Sequence, residues 1–103
     1  MRLLPKFITR SREPNLSGAD LREADLPRAD LSEADLARAE LSEADLTEAN
    51  LAGADLSGVD LAEAILTGAD LSTASLTQQE LEPATGDENT RLPPDLNPLR
   101  TGE

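Results

Sequence analysis

Leucine stands at every fifth position from Leu16 to Leu81, fourteen places without a slip. Two residues earlier stands alanine at 19, 24, 29, 34, 39, 44, 49, 54, 64, 69 and 74, with Val59 the one change inside the run. Ala, Leu and Glu are good helix formers, but this rhythm refuses a helix. Five residues at about 100° each carry successive leucines roughly 140° around the axis, so no apolar stripe forms. A straight strand fails as well, because five is odd and each leucine would face away from the last.

A bent path satisfies the spacing. In a short extended piece, Ala and Leu two apart point the same way. If the chain then turns a corner through two residues, the next Ala-x-Leu again points inward. Four corners close a square in twenty residues, and stacked squares lie about 4.8 Å apart, the spacing of paired strands. The corner pairs "SG" at 17–18 and 57–58 and "TG" at 67–68 are turn-prone. Composition points the same way. With one Phe, one Met and no Trp, Tyr, Cys or His in 103 residues, order comes from stacking small identical units and not from interlocked aromatics.

The A-D-L-x-x repeat resembles that of the pentapeptide repeat proteins, over roughly residues 14–81. The resemblance implies an all-β chain folded as a right-handed quadrilateral β-helix, and the handedness comes from it alone. Leucine and alanine then face in, while Asp or Asn and the two corner positions face out. About three coils are expected, with a short C-terminal capping helix.

Three segments follow. Residues 1–13 form a basic N-terminal arm or cap, 14–78 the repeat β-helix, and 79–103 a capping helix with a Pro-rich extended tail. In "LTQQELEPATGDEN", Thr77 and Glu80 make a T-x-x-E capping box. The expected helix covers 77–85 and closes at Gly86, with Leu81 as a lid residue outside the bore. Leu92 and Leu96 are expected to hold part of the tail. The arm "MRLLPKFITRSRE" carries Leu3, Leu4, Phe7 and Ile8 among Arg2, Lys6, Arg10 and Arg12. It reads as a cap across the first coil, as a segment docking on a partner or membrane surface, or as a disordered tail. It is too short and interrupted for a signal peptide, and no apolar run approaches the ~20 residues of a membrane span.

Catalysis lacks its usual groups, since no His, Cys or Tyr is present and the serines have no base to activate them. No glycine-rich phosphate loop or calcium-binding nonapeptide occurs. No enzyme activity, cofactor or metal site is expected. The formal net charge is −12, and the arm is locally basic while the body is strongly acidic. Such a body repels phosphates, so direct nucleic-acid binding is not expected; a basic protein surface is the favoured partner.

Sorting by twenty sharpens this. The side of the square holding Leu21, Leu41 and Leu61 presents Asp20, Glu23, Glu40, Glu43, Asp60 and Glu63, with Arg22 alone opposing. These acids, together with Ile65 where Asp is expected and Arg2, Lys6, Phe7 and Arg10 on the arm, are the candidate partner-binding residues. The acids also have a plain reading as soluble filler that discourages edge pairing. The leading expectation is a cytoplasmic, non-enzymatic interaction or scaffold module, such as a small accessory subunit, with end-to-end dimers allowed by its shape. The alternative comes from the resemblance: some relatives mimic DNA by shape and negative charge and bind DNA gyrase. Here the rod is short, the bore all leucine and an aromatic dimerisation segment absent.

Overall fold

The computed structural model describes residues 14–98. Those residues wind through right-angle corners so that positions twenty apart pair in parallel. Asn15 bridges Asp35, which bridges Asp55, which bridges Ser75; Asp20, Glu40 and Asp60 form a second column. Asp25, Asp45, Ile65 and Thr85 form a third, and Asp30, Asn50 and Asp70 a fourth. Each column is a run of single bridges and not a continuous strand, because the chain is straight for only three residues between corners. Each bridge is closed by two backbone hydrogen bonds. Glu40 donates its amide to the Ala19 carbonyl at 2.8 Å, and Leu21 donates to the Glu40 carbonyl at 2.8 Å.

The period-five pattern places the core. Leu36, Leu41, Leu46, Leu51, Leu56, Leu61, Leu66 and Leu71 are all sealed from solvent, with Ala39, Ala44, Ala49, Ala54, Ala64 and Ala69 beside them. No polar or charged side chain among the described residues is buried. Leucine supplies the volume that fills the bore, and alanine lets neighbouring backbones approach.

The corners are β-turns in which the alanine amide reaches back to the leucine carbonyl, as Ala44 does to Leu41 at 3.0 Å. From Gly18 to Gly68 the second corner residue takes a positive φ, near 63° at Glu43 and 72° at Gly58, while Thr73 in the last turn does not; a positive φ there is what a type II turn requires. Gly18, Gly53, Gly58 and Gly68 meet this need without strain. Glu23, Arg28, Glu33, Arg38, Glu43, Glu48 and Glu63 meet it with a side chain, at about 1–2 kcal/mol per residue for the left-handed conformation.

The recurring aspartate has a structural task. Its carboxylate accepts the amide two residues on, and where that residue is Ser or Thr it accepts the hydroxyl too. Asp45 takes the Thr47 amide at 3.0 Å and its hydroxyl at 2.6 Å; Asp70 does the same with Ser72. These hydroxyl bonds hold the carboxyls of Asp30, Asp45, Asp55 and Asp70 below the usual aspartate range. Asp25 is denied the amide bond because Pro27 has no N–H.

The C-terminal end keeps the twenty-residue spacing as far as Thr85 and then takes in one extra residue, so that Arg91 pairs with Asp70. Helix α1 is Gln78–Leu81, with Thr77 as N-cap and both halves of the capping box made with Glu80. It is one turn, not the two turns over 77–85 read from the sequence, and Gly86 does not adopt the positive φ of a glycine cap. Leu81 is a bore leucine, contrary to the lid role expected. It is fully buried in the leucine core with Ala84, and Thr85 bridges Ile65, so α1 substitutes for one corner while the twenty-residue count is kept.

Four successive corners find four different acceptors at this end. The Gly53 amide bonds to the Thr73 hydroxyl at 2.9 Å, Gly58 to the Glu80 carboxylate at 2.6 Å, and Gly68 to the Asp87 carboxylate at 3.1 Å. Glu63 bonds to the Pro83 carbonyl at 3.0 Å. Arg91 continues the fourth column over Asp70, and Leu92 and Leu96 pack, partly buried, against the core.

Candidate functional site

The corner geometry aims the second corner residue outward on every side, so what a side displays depends on its stacked trio. One trio is Gly18, Arg38 and Gly58, another Arg28, Glu48 and Gly68, and a third Glu33, Gly53 and Thr73. Only the trio Glu23, Glu43 and Glu63 repeats one charge. The carboxyl of Glu43 sits between its neighbours one coil below and one above. Repulsion from Glu23 and then Glu63 raises its pKa above the ordinary 4.5.

Beside this column lies Asp20–Glu40–Asp60, bridged in parallel. Arg22 links its lower part, with Nη2 2.7 Å from Asp20 and Nε 3.3 Å from Glu40. Hydrogen bonds from the Arg22 side chain and then its backbone amide lower Asp20 to about 2. Asp20, Arg22, Glu23, Ser42 and Glu43 line a shallow polar hollow between the two columns. All six expected acids are exposed and fall on one side of the solenoid. Asp20 and Asp60 also brace corners, taking the amides of Arg22 and Ala62. Among the described residues, no backbone amide bonds to the carboxylates of Glu23, Glu43 or Glu63.

Ile65 is 40 % exposed, but it stands in the column of Asp45 and Thr85 on the adjacent side, apart from the acidic strip. Arg2, Lys6, Phe7 and Arg10 lie outside the described residues. The left-handed corner conformation of the glutamates went unread in the sequence, although the glycines at 18, 53, 58 and 68 mark the same corner position. Thr73, Glu80 and Asp87 were likewise missed as end-closing acceptors, for their partners lie nineteen to twenty-two residues away.

Among the described residues, no group of acidic side chains is placed to hold a metal ion, and no helix is long and apolar enough to cross a membrane. The strip offers closely spaced carboxylates on a stiff backbone, a surface suited to arginine and lysine side chains.

A solenoid of five-residue sides with leucine inside and corners mostly braced by Asp or Asn defines a class. The chain belongs to the pentapeptide repeat family, whose model matches residues 15–51 and 39–78 in eight copies. Two solved structures are similar. The pentapeptide repeat protein Rfr23 of the cyanobacterium Cyanothece 51142 is 40 % identical, with a TM-score of 0.71 over 76 % of this chain and 53 % of its own. A pentapeptide repeat protein of the Arabidopsis thaliana thylakoid lumen is 37 % identical, with a TM-score of 0.63 over 82 % of this chain and 62 % of its own. The chain thus spans between half and two-thirds of the length of these two. No curated protein matches it.

Proposed function

We propose that this chain is a non-enzymatic interaction module, a small cytoplasmic accessory subunit that presents its acidic side to a basic protein surface. The observation that carries this reading is the Glu23–Glu43–Glu63 column. Glycine would serve those corners at lower backbone cost, stacked like charges oppose folding, and no corner amide uses the carboxylates. Three unfavourable choices on one side are accounted for if a partner neutralises them. Arg22 and the Asp20–Glu40–Asp60 column widen the strip, and electrostatic complementarity of this kind chiefly sets on-rate and partner choice.

The test is affinity capture with the full chain beside a Glu23→Lys, Glu43→Lys, Glu63→Lys variant, followed by mass spectrometry. A partner with a basic surface captured by the natural chain and lost with the variant is the expected result. Equal capture by both chains would dismiss the strip. The same side would serve a DNA mimic, and inhibition of DNA gyrase supercoiling by the natural chain, absent with the variant, would favour that narrower reading.

A further inference from the structure

Past Thr85, where one extra residue enters the count, the chain builds a hollow of about 580 Å³ that shares no residue with the acidic strip. That volume lies within the roughly 300–1,000 Å³ of ligand clefts. The tail supplies Leu92, Pro93, Pro94, Leu96 and Pro98, and the turn before it supplies Asp87, Glu88 and Thr90. Both parts are held. Leu92 and Leu96 pack against the core, the Arg91 amide bonds to the Ala69 carbonyl at 2.8 Å, and the Leu96 amide closes back on the Pro93 carbonyl at 3.1 Å. The Asn97 amide reaches the Gln78 side-chain oxygen at 2.8 Å. In the turn, the Thr90 hydroxyl donates to the Leu66 carbonyl at 2.8 Å, and Asp87 Oδ1 takes the amides of Gly68 and Asn89, each at 3.1 Å. A site fixed before binding loses little freedom when it is filled.

We propose that this hollow is a docking site for a peptide segment of a partner protein that carries an aromatic side chain beside arginine or lysine. The proline rings of the tail give flat apolar surface with no N–H to satisfy, and proline against aromatic is a recurring pairing in peptide recognition. Pro94 and Pro98 are exposed, so their rings are open to such a side chain. Charge fixes the rest of the occupant. Among the described residues no basic side chain lines the hollow, and no ion pair involves Asp87 or Glu88. Glu88 is exposed, and its carboxylate accepts no hydrogen bond among the described residues. A guanidinium or ammonium group suits it, and an anionic ligand is repelled. A second copy is the poorer occupant, because each chain carries a net charge of −12 and two of them repel. The acidic strip plays no part here: Gly68, whose amide Asp87 holds, tops the corner trio of Arg28 and Glu48, not that of Glu23 and Glu43.

The chain has neither tryptophan nor tyrosine, so the emission of a tryptophan peptide is read without background. The probe is a capped peptide of sequence GRWRG, titrated with the full chain. Saturable blue-shifted emission, with amide NMR shifts at Glu88 and Leu96, is the expected result. The peptides GRARG, followed by the same shifts, and GEWEG should each bind about ten-fold more weakly, the first lacking the ring and the second the cation. Glu88→Lys at the exposed turn should weaken GRWRG to a similar degree, and so should Pro94→Ala with Pro98→Ala in the exposed tail, with circular dichroism unchanged in both. The Glu23→Lys, Glu43→Lys, Glu63→Lys chain should keep the Glu88 and Leu96 shifts, so failure of the acidic strip and failure of this site are distinguishable. No saturable binding, equal binding of GRARG, or loss of the shifts in the strip variant would overturn the proposal. A sedimenting mass that doubles with concentration, and falls back in the proline variant, would overturn it in favour of a second copy.

Discussion

Replacing Leu51 by alanine should be among the most damaging single changes to this fold. Leu51 is 1 % exposed and lies between Leu31, at 8 %, one coil below and Leu71, at 0 %, one coil above. Its coil cannot settle into the gap. The Asn50 column is bridged on both sides, and the Leu51 and Leu31 amides hold the Asp70 and Asn50 carbonyls at 2.9 and 2.8 Å. A buried leucine-to-alanine change costs about 2.7–5.0 kcal/mol, rising with the cavity that stays open, so a rigid bore places the loss near ~4 kcal/mol. At about 4–8 °C per kcal/mol for a domain of this size, the midpoint falls by roughly 15–30 °C. Leu16→Ala, at the partly buried end, should cost less than half as much. Urea and thermal unfolding followed by far-ultraviolet circular dichroism measure both. A loss below about 1.5 kcal/mol at Leu51, or equal losses at the two sites, would refute the reasoning that bore leucines are held by an unyielding stack.

Other outcomes follow from the corners. Glu43→Gly removes a side chain from a positive-φ position and from between two glutamates, and should stabilise by ~0.5–1 kcal/mol in urea unfolding, opposite to glycine's usual effect. Carbon-detected NMR titration should place the Glu43 carboxyl above 4.5 and return it towards that value in a Glu23→Gln, Glu63→Gln variant. Because the folded pKa is raised, the repulsion is absent below the unfolded value and grows as pH rises through the folded one; the stabilised aspartates act in the opposite sense, losing their contribution as pH falls. Thr73→Val takes the acceptor from the Gly53 amide and should cost ~0.5–1 kcal/mol, modest because that amide can reach water. Ile65→Asp restores a carboxylate two residues before Thr67 and should stabilise by about 0.5–1 kcal/mol, visible as a raised thermal midpoint.

Much of the solenoid was legible in one dimension. A strict period of five rules out the helix and the straight strand, assigns Leu36 and Ala39 to the interior, and predicts that Glu43 stands over Glu23 and under Glu63. The last inference works because each coil has the same length, so spatial neighbours are a fixed sequence distance apart. Ile65 as an exposed aliphatic was readable for the same reason.

What the sequence settled by itself is therefore whatever repeats: the path of the chain, its filled bore and the side on which its acids collect. Tertiary structure alone decided what happens once per molecule. The capping box at Thr77 and Glu80 promised a helix but not its length, because a local signal starts a helix while the pull of the bore on Leu81 ends it. Glycines at some corners hinted at a left-handed residue, yet that glutamates bear the same conformation follows from the stacked hydrogen bonds each corner must make. Thr73, Glu80, Pro83 and Asp87 became acceptors for amides nineteen to twenty-two residues away only when the last coil was in place. Local pattern governs what neighbours along the chain can satisfy, and the ends of a stack are satisfied from elsewhere.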